Sequence, residues 1–286
     1  DELKKYSGAA YDPILNEFVS DLVNDQAVEI ERMNTLAVGL SDDPRSGLAP
    51  GLFIAEEAIL NMELIASFKK PTGFFDPSNP AEKGSEDLSE DNENKTTAEI
   101  SRSLRSPMLS FANTDMAFRD SLLVAGSYHG FNMYNINEDG LPSLISSVVC
   151  PGGQGDVSIV GDLLIMSVEE IRSRVDCGLE GVGRDASPER FRGIRIFDIS
   201  DLTQPKQVGA VQTCRGSHTH SVVSGPNADG KIIVYNSGTG GVRDEEEMEQ
   251  CIGNIAGDER TALFRIDVIE IPISDPSKSR IVSSPA

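Results

Sequence analysis

Apolar residues recur at helical spacing early in the chain and in short, strand-length runs later. Leu15, Phe18, Val19, Leu22, Val23, Ala27, Ile30, Met33 and Leu36 share one stripe and predict a helix over 12–38. Pro13 suits a first turn, and Gly39 and Pro44 end the run. Phe53, Ala55, Ile59, Met62 and Ile65 predict a second helix from Leu52 to Phe68, stopped by Pro71 and Gly73. Residues 1–75 therefore read as a helical N-terminal segment. Asp76-Pro77-Ser78-Asn79-Pro80 then opens a stretch rich in Glu, Asp, Ser, Asn and Lys, without apolar periodicity, and 76–107 reads as an acidic flexible linker. From 108 to 286 short apolar runs alternate with Gly, Asp and Pro, an all-β signature.

The β region repeats. Its first unit runs Asn113–Phe118, Leu122–Gly126, Gly130–Ile136 and Leu144–Cys150. The second runs Gly155–Val160, Leu163–Ser167, Gly193–Asp201 and Gln207–Cys214, with an insertion before Gly193. The third runs His218–Val223, Lys231–Tyr235, Leu263–Ile271 and Arg280–Val282, again with an insertion. Four short strands with turn residues at matching places make a propeller blade, which takes about 40 to 45 residues without insertions. The expected fold is mainly β: a partial β-propeller of about three four-stranded blades after a short α-helical segment. The competing arrangement is a sandwich of unrelated hairpins.

Gly193-Ile194-Arg195-Ile196-Phe197-Asp198-Ile199-Ser200-Asp201, followed by Pro205, resembles the LVIVD-repeat family of bacterial and archaeal β-propeller proteins, which are commonly exported. Cys150–Val157, Cys214–His220 and Thr261–Ile269 are similar to a subgroup of long bacterial members with no assigned activity. The resemblance covers roughly the blade region. It implies a propeller in a bacterial, extracytoplasmic setting and is almost silent on chemistry. Val23–Met33 is similar to the last helix of small ferritin-like domains, but no histidine precedes His129, so no metal site carries over. A ring needs at least four blades. The expectation is that another protein chain, or the remainder of the same propeller, covers the open edges.

The net charge of −21 excludes nucleic acid and anionic membrane surfaces as natural partners. It suits solubility, or affinity for hard cations such as Ca²⁺. No apolar run is long enough for a membrane span. The chain opens Asp1-Glu2-Leu3-Lys4-Lys5, so either a leader has been removed or the sequence begins inside a longer protein. Cys150, Cys177, Cys214 and Cys251 form no CxxC pair. Cys150 and Cys214 end the last strands of units one and two, and Cys177 and Cys251 lie in the insertions of units two and three. That shared relationship predicts Cys150–Cys177 and Cys214–Cys251 and an oxidising compartment. The alternative is four buried thiols.

First strands of blades line the central axis. Laid over one another, Asp115, Asp156 and His220 take the same place, and His218 faces the same way as His220. A ring of carboxylate and imidazole is a candidate site for Ca²⁺ or a transition metal. The competing role is structural, with each Asp accepting from loop backbone amides. Arg215 sits at the same rim and pairs with Asp156 or meets an anionic ligand. His129 belongs to an off-axis turn. Gly238-Thr239-Gly240-Gly241 lacks the Lys of a phosphate loop, and Asp244–Glu247 reads as a solvated loop or helix start. Asn94-Lys95-Thr96 matches a glycosylation acceptor, which means little in a bacterial protein. No catalytic residues stand out. The expected function is non-catalytic protein binding or a structural surface role. The alternative is a metal-dependent oxidoreductase using the axial Asp/His site.

Overall fold

The structure is a computed structural model that describes residues 24, 26–34, 43–51, 54–74, 113–179, 181–183, 185–253 and 261–285. The chain divides into two compact units, Asp1–Ser67 and Phe68–Ala286. In the first, residues 24 and 26–34 are helical, inside the expected 12–38; the rest of that range lies outside the described residues. The second expected helix does not form. Residues 54–68 are irregular, and Ile59, Met62 and Ile65 are exposed. An apolar stripe with no surface to bury against does not stabilise a short helix, because most helical stability comes from packing. The acidic stretch 76–107 lies outside the described residues.

The second unit is three antiparallel four-stranded sheets, each ordered as in sequence. Blade 1 is β1 (Asn113–Arg119), β2 (Leu122–Ser127), β3 (Gly130–Ile136) and β4 (Pro142–Val149). Blade 2 is β5 (Val157–Val160), β6 (Leu163–Val168), β7 (Gly193–Asp198) and β8 (Lys206–Gln212). Blade 3 is β9 (Thr219–Ser224), β10 (Lys231–Ser237), β11 (Asp267–Pro272) and β12 (Arg280–Ser283). β11 starts later than expected. Phe264 has φ +57°, a left-handed backbone that a strand does not hold, so Leu263–Ile266 belong to the insertion.

One hydrogen bond recurs in every blade. The N–H of Ile136, Ile199 and Ile273 donates to the carbonyl of Ser121, Asp162 and Gly230, at 2.7, 2.9 and 2.9 Å. It fixes which residues correspond: Leu122, Leu163 and Lys231 start the three second strands. Alternate residues then face opposite neighbours. Leu163, Ile165, Ile194 and Ile196 pack on Ile232, Val234, Ile269 and Ile271 of blade 3. Leu164, Met166, Val168 and Phe197 pack on Leu122, Val124, Phe131 and Met133 of blade 1. Blade 2 is thus sandwiched, and all six residues of β6 are buried. We call the side of a blade toward the next one its forward face and the other its back face. β1 lies against β5 and β5 against β9, so first strands neighbour each other as around a propeller axis.

In blades 1 and 2 the third strand starts with close backbone approach. Gly130 and Gly193 have φ +127° and +144°, and a Cβ on either would collide with the carbonyl of Val148 or Val211. Disulfides then tie neighbouring blades. Cys150, just after β4, bonds Cys177 in the β6–β7 insertion of blade 2. Cys214, just after β8, bonds Cys251 in the β10–β11 insertion of blade 3. These are the pairs the repeat relationship predicts.

Candidate functional site

The polar end of the interface between blades 2 and 3 gathers most of the expected site residues. Asp156 immediately precedes β5, Ser167 is near the end of β6, and both face forward. His220 lies in β9, directly opposite Asn236 of β10, and faces back. His220 Nδ1 lies 2.8 Å from both Asp156 Oδ2 and Ser167 Oγ. A ring nitrogen that close to a carboxylate carries the proton, so Nδ1–H donates. Ser167 Oγ is also 2.7 Å from Ser217 Oγ and donates toward Asp156 Oδ2 at 3.3 Å. The backbone N–H of His220 donates to the same Asp156 oxygen at 2.8 Å. Burial alone would raise the Asp156 carboxyl, but the hydrogen bonds it accepts from His220 and Ser167 outweigh it and hold it below the ordinary 3.8.

The His220 side chain is fully buried. Its Nε2 has no hydrogen-bond partner among the described residues. Asn236 donates from Nδ2 to the Gly216 carbonyl at 3.1 Å, and its buried Oδ1 is likewise without a partner there. Two acceptor atoms are therefore buried on one cross-strand pair.

The expected superposition slips by one residue in blade 3. Asp115 pairs with Gly126, and Asp156 falls opposite Ser167; the corresponding pair in blade 3 is Ser221 with Tyr235. His220 is one place earlier, and a one-residue slip turns a side chain to the other face of the sheet. That is why His220 points back at Asp156 instead of standing beside it in a ring. Asp115 Oδ2 accepts the Val157 N–H at 2.9 Å. Asp115 and Asp156 thus both hold the first strand of the next blade through its backbone, the structural role.

His218 goes elsewhere. Its Nδ1 meets Glu169 Oε2 at 2.7 Å and its Nε2 meets the Gln154 amide at 3.2 Å, so both ring nitrogens are occupied. Glu169 Oε1 also accepts from the Thr239 N–H (2.8 Å), the Thr239 hydroxyl (2.5 Å) and the Gly240 N–H (3.1 Å). Burial pushes the Glu169 carboxyl up, but these donors and His218 bring it below the ordinary 4.5. Arg215 does not pair with Asp156. Its Nε and Nη2 donate to the carbonyls of Gly240 and Thr239 at 2.8 and 3.0 Å. Arg192 completes the clamp, donating to the carbonyls of Gly241 and Arg215 at 2.9 and 3.1 Å. The glycine-rich turn is thus held from three sides. His129 is in the β2–β3 turn of blade 1, as expected. Asp115, Asp156, His218 and His220 do not converge on one point, and no group of three His, Cys, Asp or Glu side chains suited to a metal ion occurs among the described residues.

The sequence gives no hint of a buried charge cluster between the two insertions. Glu247, expected in a solvated run, has a side chain only 1% exposed. Its Oε1 accepts from the Ser187 N–H at 2.9 Å and from Arg190 Nη1, and its Oε2 accepts from Arg243 Nε at 2.9 Å. Arg192 lies in the same region and is pushed down to about 10, by burial first and then by the charge of Arg243. Arg195 is fully buried over the Phe191 ring, and burial brings it to about 10 as well. The Glu in a run of four acids at the insertion tip carried no periodicity that marks it as buried.

No protein-family model matches the chain, and no curated protein matches it. Among solved structures it is similar to Citrobacter koseri AztD at 10% identity, with a TM-score of 0.21 over 60% of this chain and 57% of that one. It is similar to Kluyveromyces lactis Hsv2 (complete loop 6CD) at 14% identity, with a TM-score of 0.17 over 60% of this chain and 63% of that one. The matched part thus spans less than two thirds of either protein.

Proposed function

We propose that the chain is an extracytoplasmic, non-catalytic β-propeller acting in protein binding or as a structural surface component, in line with its resemblance to the exported LVIVD-repeat proteins. The observation that carries this is the back face of blade 1. Met116 and Phe118 of β1 and Leu144 of β4 are half or more exposed, on a sheet whose other face is core. Exposed apolar side chains on one face of β1 and β4, on a chain of net charge −21, suit the apolar surface of a partner. Two inter-blade disulfides fit an oxidising compartment. The test places a photoreactive aromatic residue at Phe118, with a control at the exposed turn residue Asp229. Irradiation in the native extracytoplasmic fraction is expected to give protein adducts at 118 and none at 229. Quenching by solvent alone at 118 would sink the reading.

A second reading is favoured by one observation: a buried imidazole whose Nδ1–H is fixed by a carboxylate and whose Nε2 is free has the orientation of a metal-ligating histidine. In that reading the chain is a metal-dependent oxidoreductase. Elemental analysis of dialysed protein, alone and as His218→Ala/His220→Ala, decides it. Stoichiometric calcium or transition metal lost in the variant supports this reading, and no metal in either removes it.

A further inference from the structure

The two interfaces between blades end differently where the first strands begin. In blade 2 the register of β5 on β6 carries Gly155 opposite Val168, and both face back at blade 1. The recurring turn bond makes His220 and Asn236 the corresponding pair of blade 3, facing back at blade 2. Between blades 1 and 2 the backbones meet. A Cβ on Gly155 would collide with the Ser127 carbonyl, and one on Gly126 with the Gly155 carbonyl. Val168 is fully buried in the apolar core beside them. That end is closed by backbone contact. Between blades 2 and 3 the glycine and the valine are replaced by an imidazole and an amide, both buried.

Both side chains are fixed as acceptors on their remaining atoms. Asp156 takes the Nδ1–H of His220, so Nε2 carries a lone pair. The Gly216 carbonyl can only accept, so it holds Asn236 with Nδ2 toward it and Oδ1 away. Neither Nε2 nor Oδ1 has a partner among the described residues, and two acceptors cannot bond each other. Burial strips both of solvent, which is unfavourable until a donor is supplied. Cross-strand neighbours on one face stand about 5 Å apart at Cβ, so one small molecule with two hydrogens can serve both. The row continues to Asp267, opposite Asn236 on β11, where a cavity lined by Gly216, Gly238, Arg265 and Asp267 adjoins it.

We propose that the interface of blades 2 and 3 is a binding site for one internal water molecule, which donates one hydrogen to His220 Nε2 and the other to Asn236 Oδ1. Buried polar atoms left without protein partners are what internal waters satisfy. An anion has no hydrogen to give. Asp156 already accepts from His220 and Ser167, and Asp267 from Arg265 and Ser284, so the groups still in need are two neutral acceptors, which ask for a neutral donor. A metal would take the same Nε2 lone pair, so the proposal rests on the non-catalytic reading above.

A high-resolution crystal structure of the wild-type chain tests it directly. The expected result is a solvent peak about 2.7–3.2 Å from both His220 Nε2 and Asn236 Oδ1, with no stoichiometric metal in the same dialysed protein. In solution, oxygen-17 relaxation dispersion counts long-lived internal waters. Asn236→Val installs the residue type that blade 2 carries at this place and takes away half of the water's partners. It is expected to lower the count by one, with an unchanged circular dichroism spectrum. An unchanged count in that folded variant overturns the proposal. So does a proton bound to Nε2 in nitrogen-15 imidazole spectra at neutral pH, because the ring is then a donor there. Stoichiometric metal on Nε2 also overturns it and moves the chain to the oxidoreductase reading. A wild-type crystal with neither solvent nor metal between the two atoms removes the water and leaves the protein-binding reading standing.

Discussion

Replacing Glu247 by Gln tests whether the buried charge cluster holds the two insertions together. The change keeps the shape and removes the carboxylate that, among the described residues, pairs with both Arg190 and Arg243, whose side chains are 8% and 3% exposed. Gln can still accept the two hydrogen bonds that Ser187 and Arg190 make to one oxygen at 247, and loses the third, from Arg243. Its amide then presents a donor to a guanidinium, which is also a donor. Arg192, already depressed by burial and by the charge of Arg243, loses one of the two carboxylates that oppose the shift, the other being Glu169. Breaking a buried pair while leaving its partner in place costs about 3 to 5 kcal/mol, a large share of the roughly 5 to 15 kcal/mol that holds a domain folded. With a urea slope of about 2 kcal/mol per molar, the midpoint falls by about 2 M. Urea unfolding followed by far-ultraviolet circular dichroism, disulfides intact, measures it. Replacing Arg190, Arg243 and Glu247 together by Met, Met and Leu serves as the contrast and is expected to cost much less, because no charge is left buried alone. A loss below about 1 kcal/mol for Glu247→Gln at unchanged slope, or a triple variant as damaged as the single one, would refute the reasoning.

Three further outcomes are expected. Asp156 and Glu169 are held below 3.8 and 4.5 in the folded chain, so the unfolded chain binds their protons first; the stability they confer is full above those values and is lost as pH falls through the folded ones. Asp156→Asn should flatten that acid limb in a pH series of urea midpoints, and an unchanged limb would count against the His220 pairing. Cys214→Ser/Cys251→Ser opens a loop of sequence separation 37, and loop-closure entropy makes the loss about 4 kcal/mol; a thermal melt that does not move refutes it. Gly193→Ala forces a Cβ into the Val211 carbonyl at a positive φ, and its urea midpoint should fall well below that of Gly183→Ala, where an added Cβ meets nothing.

The blades were legible because each strand carries its own evidence. Period-two alternation, a Gly or Asp turn and a recurring Pro mark strands without knowledge of their neighbours, and the predicted strand limits match the observed ones within a few residues outside β11. The cysteine pairing was legible for the same reason, since it follows from position within the repeat. The helix over 52–68 misled because an apolar stripe states that a surface is needed, not that one is present. β11 misled because Leu263-Phe264-Arg265-Ile266 alternates like a strand, while Phe264 has a left-handed backbone.

The candidate site depended on something a repeat alignment handles poorly: the face on which a residue stands. Asp115, Asp156 and His220 align within one residue in sequence, yet that residue decides everything about the chemistry. With His220 in the Asp position, three side chains would share one face direction and form an axial ring. One place earlier, His220 turns back across the interface and becomes the partner of Asp156. In blade 2 the corresponding back-facing position is Gly155, which has no side chain to offer, so Asp115 takes a backbone N–H of Val157 instead. The same geometry therefore yields a bare backbone tie between blades 1 and 2, and a buried Asp–His–Ser network between blades 2 and 3.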